Sequence, residues 1–585
     1  MKSKKAQRAV AAAPPAPPSQ LFWLRTAMLV LAALCLTGLF STEIADPDFW
    51  WHLKTGQYIA QRGSLPVPDP FSYTSNLGKA MYAGEEIVRY FNLTHEWLAQ
   101  GIFYAIYRVT GFPGIVLFKT FLLTGFCGLA GLIAARRTGN FYDGLAAGLA
   151  AAAIATEFSV DRPALITFFM TALFIAILEF EWKLWLLPVL SLVWANCHGG
   201  FFLGWVVLGA YSAEILWRRG RALESRDRKF LGIAALSVLV SGLNPNYFRI
   251  VEVLWLYRRS PITAALIEWR RPYLWGPPYA FDILLYAAGA TLLIWRRRVR
   301  PADWLLYIAF GAAALLSFRN IILIALIAPM ILVTYFPWRP KLSPRMQSAA
   351  SYAALAGLLA WLSAGLARGD GFRLRAAQWR YPAGAAQFLL DHHITGPIFN
   401  TWDYGGYLIW SLWPRQKVFI DGRALNESVN KDYRRALLNP GGELFEMGEA
   451  REEVFIRYQI EAIVMNCFEY TTGTIYPLAL ALAMPEQTDW KLVYDDGPSM
   501  IFLRHPSADM PLFSQARVLD HLEAECRMHV DRDPENSLCA RTLGFLFIRT
   551  KNPDRAQRQL GLYLAHPYGG GPDLEAARAY QQLFK

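Results

Sequence analysis

The stretch Glu43-Ile44-Ala45-Asp46-Pro47-Asp48-Phe49-Trp50-Trp51-His52 follows directly on the first long apolar run of the chain, Leu21 to Phe40. Asp46, Asp48, two tryptophans and a histidine therefore emerge where a membrane helix would end. Tryptophan favours the water–lipid boundary, and charges grouped at that depth are costly unless they are paired or at work. Such a cluster marks a place where a protein can meet a lipid-borne substrate.

The rest of the chain fits a membrane setting. Of 585 residues, 54% are hydrophobic and 21 are Trp, and the mean hydropathy is +0.22. Soluble domains rarely reach that apolar fraction, and here it is blocked into long runs, as in membrane spans. The net charge of +12 would suggest nucleic acid in a soluble protein. Here the basic residues sit between apolar runs, as cytoplasmic loops do, and no nucleic-acid partner is expected. Six Cys show neither a CxxC nor a zinc spacing. Cys526 and Cys539 pair if their region is extracytoplasmic; two free thiols fit the sequence equally well.

Apolar runs lie at 22–41, 115–135, 142–158, 164–180, 184–197, 201–217, 230–243, 279–295, 303–318, 320–337 and 348–366, with 99–112 read as an interfacial helix. That predicts about eleven spans. The first is too long for a signal peptide and reads as uncleaved, behind a cytoplasmic tail, 1–20. Alternation places Arg136-Arg137, Arg218-Arg219, Arg226 to Lys229, Arg296-Arg297-Arg298 and Arg339 to Arg345 inside. The positive-inside rule then sets the N-terminus in the cytoplasm and everything beyond about Arg368 outside. The setting expected is a multi-pass protein of a bacterial-type inner (plasma) membrane.

The expected fold is thus a polytopic α-helical membrane domain, 21–367, with a large first outer loop, 42–98. An extracytoplasmic α/β domain, 368–510, follows. Its strand-like runs are Lys417 to Ile420, Ala462 to Met465, Leu492 to Tyr494 and Met500 to Leu503. A helical segment, 511–585, ends the chain. Asp533-Pro534-Glu535-Asn536 with Ala540, Leu543-Gly544 and Ala556 resembles one tetratricopeptide unit, and a plain helical hairpin fits as well. This segment is the expected place for a protein partner.

Asp46-Pro47-Asp48-Phe49-Trp50-Trp51-His52, then Gly56, Gly63, Leu65-Pro66 and Asp69-Pro70-Phe71-Ser72, resembles the first outer loop of oligosaccharyltransferase catalytic subunits. Thr401-Trp402-Asp403-Tyr404-Gly405-Gly406-Tyr407 is similar to their Trp-Trp-Asp-Tyr-Gly signature. Asp161, Ile267-Glu268-Trp269 and Arg319 fall, in order, where that family has a second-loop acid, a mobile-loop glutamate and an arginine near the lipid phosphate. The resemblance implies a GT-C membrane glycosyltransferase with a polyprenyl-linked sugar donor. Two positions depart from the pattern. Arg162-Pro163 follows Asp161 where the family has a further carboxylate, and Thr401 replaces the first Trp. Both departures weaken a divalent metal and an acceptor of the Asn-x-Ser/Thr type.

Transfer from a lipid phosphate needs a carboxylate to activate the acceptor, cations to neutralise the leaving group, and binding that holds both together. The candidates are Asp46, Asp48 and Asp161 for catalysis, and Arg319, His52 and Arg162 for the donor phosphate. Glu268, Trp402, Asp403, Tyr404, His95 and Glu96 are candidates for the acceptor or its loop. A divalent cation (Mg or Mn) would fall to Asp46 and Asp161. His95-Glu96 lacks a zinc-helix spacing, since residue 99 is Ala99. Trp50 and Trp51 read as interface anchors, and Asp421 with Arg423 as a structural ion pair. The arginines 258, 259, 270 and 271 of the expected outer loop run against the positive-inside rule and suit lipid phosphates. The function expected is transfer of a sugar or oligosaccharide from a polyprenyl-phosphate or -diphosphate carrier to a protein or glycan acceptor on the outer face. A transporter of lipid-linked glycans would show internal repeats and polar mid-span groups, and neither is evident. A scaffold presenting the helical tail would leave the outer-loop acids unexplained.

Overall fold

A computed structural model describes residues 18–336, 343–369, 371–442, 445–469, 473–484, 486–532, 534, 537–567 and 571–584. Residues 1–17 of the expected tail, Arg339 of the expected inner loop, and Asp533, Glu535 and Asn536 of the repeat-like motif lie outside these. The chain divides into two compact units. The first comprises the described parts of Met1–Ile44, Ala105–Ile250 and Ala264–Ala376; the second, Ala45–Tyr104, Val251–Thr263 and the described parts of Ala377–Lys585.

In the first unit a helix stands at each position where the sequence suggests a span. Among the described residues, five stretches are long and apolar enough to cross a membrane: Phe22–Phe40, Glu85–Thr138, Gly199–Arg219, Phe318–Tyr335 and Met346–Arg368. Others are short. Leu186–Cys197 has 12 residues, roughly 18 Å at the α-helical rise, against a hydrocarbon core of about 30 Å. Its polar end is knitted into the unit. The Trp194 indole donates to Thr167 Oγ1 at 2.8 Å, and the Gly200 amide to His198 Nδ1 at 3.0 Å. The helix Trp97–Thr138 breaks at Gly111, where φ is 65°, just before Pro113. Glycine reaches positive φ without a Cβ clash, and proline cannot continue the amide ladder. The break falls where the sequence separates an interfacial helix from a span.

Buried charges tie helix ends together. Arg137 donates to Glu179 at 2.8 Å and to Asp303 at 2.9 Å. Arg300 reaches Glu179 at 2.9 Å and Glu214 at 3.3 Å. Arg137 is thus a buried joint, whereas the sequence reads it as a loop charge.

The second unit holds a four-stranded sheet with the order β1-β2-β6-β5, and a two-stranded ribbon, β3–β4. The strands are β1 (Ile398–Asn400), β2 (Ala462–Met465), β3 (Phe468–Glu469), β4 (Thr474–Ile475), β5 (Lys491–Asp495) and β6 (Met500–Leu503). β1 pairs parallel with β2; the other pairings are antiparallel. Three expected strands appear. Lys417 to Ile420 forms none: Val418 makes a single parallel bridge to Ser72 of the expected first outer loop.

Apolar residues cover both sheet faces, so β2 is buried along its whole length, as two-sided burial requires. Ala462 and Val464 join a core with Leu389, Leu408 and Trp51. Ile463 and Met465 join another with Val518, Leu522, Leu543, Phe547 and Leu560. The sequence reading sets 511–585 apart, but its helices, Gln515–Arg532, Leu538–Arg549, Pro553–Ala565 and Leu574–Gln582, share this core. Cys526 and Cys539 form a disulfide between the first two, which settles the open alternative.

Arg423 is buried and clasped by two acids. It meets Asp69 Oδ1 at 2.6 Å and Asp421 Oδ1 at 2.7 Å, and Asp69 also accepts from the Phe71 and Ser72 amides at 3.1 Å. The expected Asp421–Arg423 pair is present, with Asp69 as a third member. Removing one partner of a buried ion pair strands the others. Asp69→Ala is expected to cost roughly 3–5 kcal/mol, read as a lowered unfolding midpoint of the purified chain in detergent.

Candidate functional site

In the second unit, Asp46 is almost fully buried and its Oδ1 accepts from the Asp48 amide at 3.0 Å. That local turn precedes the helix Phe49–Arg62. Asp48 Oδ1 accepts from the Trp51 indole at 3.1 Å. Two glycines seat the segment. A Cβ on Gly406 would lie 2.4 Å from the Pro47 carbonyl, and one on Gly422 would lie 1.8 Å from Asp48 Oδ1. The outer-loop motif therefore rests on the helix Trp402–Leu412 and on the turn after Asp421. Motifs more than 350 residues apart in sequence meet here.

The neighbouring aromatics are not interface anchors. Trp50 is buried between Tyr381 and Tyr407, with ring centroids 4.9 and 4.8 Å away, and Trp51 is buried as well. His52 Nδ1 lies 3.5 Å from Glu96 Oε2, and His95 Nε2 lies 3.3 Å from Glu96 Oε1. The three residues form one His–Glu–His cluster, with Glu96 at its centre. His52 thus faces an internal carboxylate. Lys54, which the sequence reading passes over, donates to the Trp410 carbonyl at 3.0 Å. Burial pulls its ammonium down to about 8.

The Trp402 amide donates to the Tyr433 hydroxyl at 2.9 Å, and the Trp402 side chain lines a small cleft with Ser72, Thr74, Asp421 and Asn426. Asp403 is half-buried beside it. Tyr404 lies inside the core, and its hydroxyl donates to the Pro498 carbonyl. Glu427 accepts from the Ser260 hydroxyl, and its carboxyl is pushed up chiefly by burial.

In the first unit, Asp161 is fully buried against Lys119, Oδ1 to Nζ 3.1 Å. Lys119 also donates to the Thr42 carbonyl at 3.0 Å and to Thr42 Oγ1 at 3.1 Å. The sequence reading missed Lys119. Its signal was a lone lysine inside an apolar run. Its ammonium faces Asp161, the carboxylate to which the sequence reading assigned a divalent cation.

Arg162, Glu268 and Arg319 are brought together. Arg162 Nη1 is 3.4 Å from Glu268 Oε2, and Arg319 Nη1 is 3.8 Å from Glu268 Oε1. Arg319 also stacks over the Trp269 ring, 4.6 Å from its centroid. Two backbone ties hold this arrangement: Ser317 Oγ donates to the Glu268 carbonyl at 2.9 Å, and the Phe318 amide to the Arg270 carbonyl at 2.8 Å. The three side chains keep 27–38% of their surface exposed, so a solute can reach them. Arg258, Arg259, Arg270 and Arg271 are exposed.

No protein-family model and no curated protein matches the sequence. The fold does match solved structures. One is the archaeal oligosaccharyltransferase AglB from Archaeoglobus fulgidus in complex with an inhibitory peptide and a dolichol-phosphate. The TM-score is 0.51 at 11% identity, covering 85% of this chain and 76% of that one. Another is the apo form of the Archaeoglobus fulgidus oligosaccharyltransferase, with a TM-score of 0.54 at 12% identity and the same coverage. At such identity the likeness is one of fold, and it bears out the resemblance read from the motifs.

The glycine seat is open to test. Gly422→Ala is expected to displace Asp48 and lower the unfolding midpoint of the purified chain in detergent, while Gly571→Ala, which meets no atom within 4 Å, leaves it unchanged. Equal midpoints of the two variants refute the seat.

Proposed function

We propose that this chain is a membrane glycosyltransferase of the GT-C type. It moves a sugar or oligosaccharide from a polyprenyl-phosphate or polyprenyl-diphosphate carrier to a protein or glycan acceptor on the outer face of a bacterial-type inner membrane. The meeting of Arg162, Glu268 and Arg319 carries this reading. Two guanidiniums stand around one carboxylate, all three accessible beside apolar helices. The guanidinium fork suits phosphate oxygens. A structural neighbour is solved with a dolichol-phosphate and a peptide, which supports a lipid-phosphate donor.

In this reading Asp46, with Asp48 beside it, takes the proton of the acceptor nucleophile. The nucleophile bonds to the anomeric carbon, and the carbon–oxygen bond to the carrier phosphate breaks. The phosphate leaves with the electron pair, and Arg162 and Arg319 neutralise it. Glu268 spaces the two arginines. Trp402 and Asp403 line the acceptor side. In this reading Lys119 supplies the positive charge at Asp161, and the mechanism uses no divalent cation.

Transfer is followed as release of the lipid phosphate from radiolabelled lipid-linked donor in membranes containing the chain. Asp46→Asn is expected to lower the rate about 10²–10⁴-fold at normal expression, and Arg319→Ala about 10²–10³-fold. Full turnover by Asp46→Asn removes Asp46 from the mechanism. Added magnesium or manganese is expected to leave the rate unchanged. A rate that rises with either ion overturns the metal-free reading.

A further inference from the structure

We infer that the second unit carries a zinc site, unconnected with sugar transfer, formed by Cys467, His521 and Glu525. One donor atom from each lies within 4.8 Å of the other two. All three residues are buried. His521 and Glu525 stand four residues apart on the helix Gln515–Arg532, a spacing that puts them on one face. Cys467 lies in the link between β2 and β3, and its amide donates to Glu525 Oε2 at 2.9 Å. Zinc takes thiolate, imidazole and carboxylate donors at about 2.0–2.3 Å, so small side-chain rotations bring this set onto one ion.

The surroundings supply a separate indication. Asp495, the last residue of β5, has Oδ1 2.5 Å from His521 Nδ1. Nε2 then faces Glu525 Oε2 at 3.2 Å, and an ion entering there takes the imidazole and the carboxylate together, with Asp495 completing the carboxylate–histidine–metal arrangement typical of zinc proteins. Asp495 Oδ2 is in turn paired with Arg517 at 2.5 Å. On binding, the Cys467 thiol loses its proton to solvent and the thiolate ligates the ion. The ion would staple the helical tail to the sheet and offset the negative charge of two buried anionic donors. Linear spacing hides the site, because the cysteine and the histidine–glutamate pair come from different elements.

The test uses the full chain purified in detergent, stripped with a chelator and reloaded with zinc or cobalt(II). Elemental analysis is expected to show about one zinc per chain, and cobalt to give a thiolate charge-transfer band. Cys467→Ser should lose that band, and Asp495→Asn should weaken binding about 10–100-fold. The inference falls if the unaltered chain takes up no zinc or cobalt, a result that stands even if the variants fail to fold. It also falls if Cys467→Ser keeps the cobalt charge-transfer band.

Discussion

A charge taken out of water must meet its opposite, and that constraint joins distant parts of this chain. Lys119 and Asp161 are both sealed from solvent. Arg423 sits between Asp69 and Asp421, and Arg137 between Glu179 and Asp303. At low dielectric an unpaired member of such a group costs several kcal/mol. Each pairing therefore locks the register of the elements that carry it. Asp69 belongs to the first outer loop and Arg423 to the region after the Trp-Asp-Tyr-Gly motif, and their ion pair holds these segments in one unit across 354 residues.

Cations differ in work according to their exposure. Lys119 and Arg423 are fully buried and saturated by carboxylates and carbonyls, so they serve the fold. Arg162 and Arg319 both face Glu268 at longer range and stay accessible, within reach of a solute. The carboxylates of Asp46-Pro47-Asp48 gain precision from their seat: two glycines let backbone and side chain approach more closely than any Cβ would allow. A side chain seated on rigid elements keeps its geometry.

Much of the membrane unit was legible because long apolar runs carry their own signal, and the helices stand at those runs. Arg162 and Arg319 were legible as charges at run ends and Glu268 as a loop glutamate placed by the resemblance, and the three do converge. Lys119 was missed because one lysine hardly lowers the hydropathy of a long run. The strand β1 was missed because three residues show no periodicity. Lys417 to Ile420 looked like a strand on composition alone, but its hydrogen bonds go to Phe71 and Tyr73 of the outer loop, so no ladder forms. Trp50 and Trp51 looked like lipid-boundary anchors, but Trp50 packs between Tyr381 and Tyr407 and Trp51 joins the core with Leu408.

The sequence by itself determined the apolar blocks, the charges at their ends and the motif order along the chain. Hydrophobic transfer and helix geometry act locally, so a linear reading sees them. Tertiary structure alone decided which charges pair, which glycines receive a close neighbour and that the tail shares a core with the sheet. It also decided that Asp161 pairs with Lys119. Those outcomes depend on atoms meeting across hundreds of residues, and the free energy of a buried charge depends on the partner it finds there.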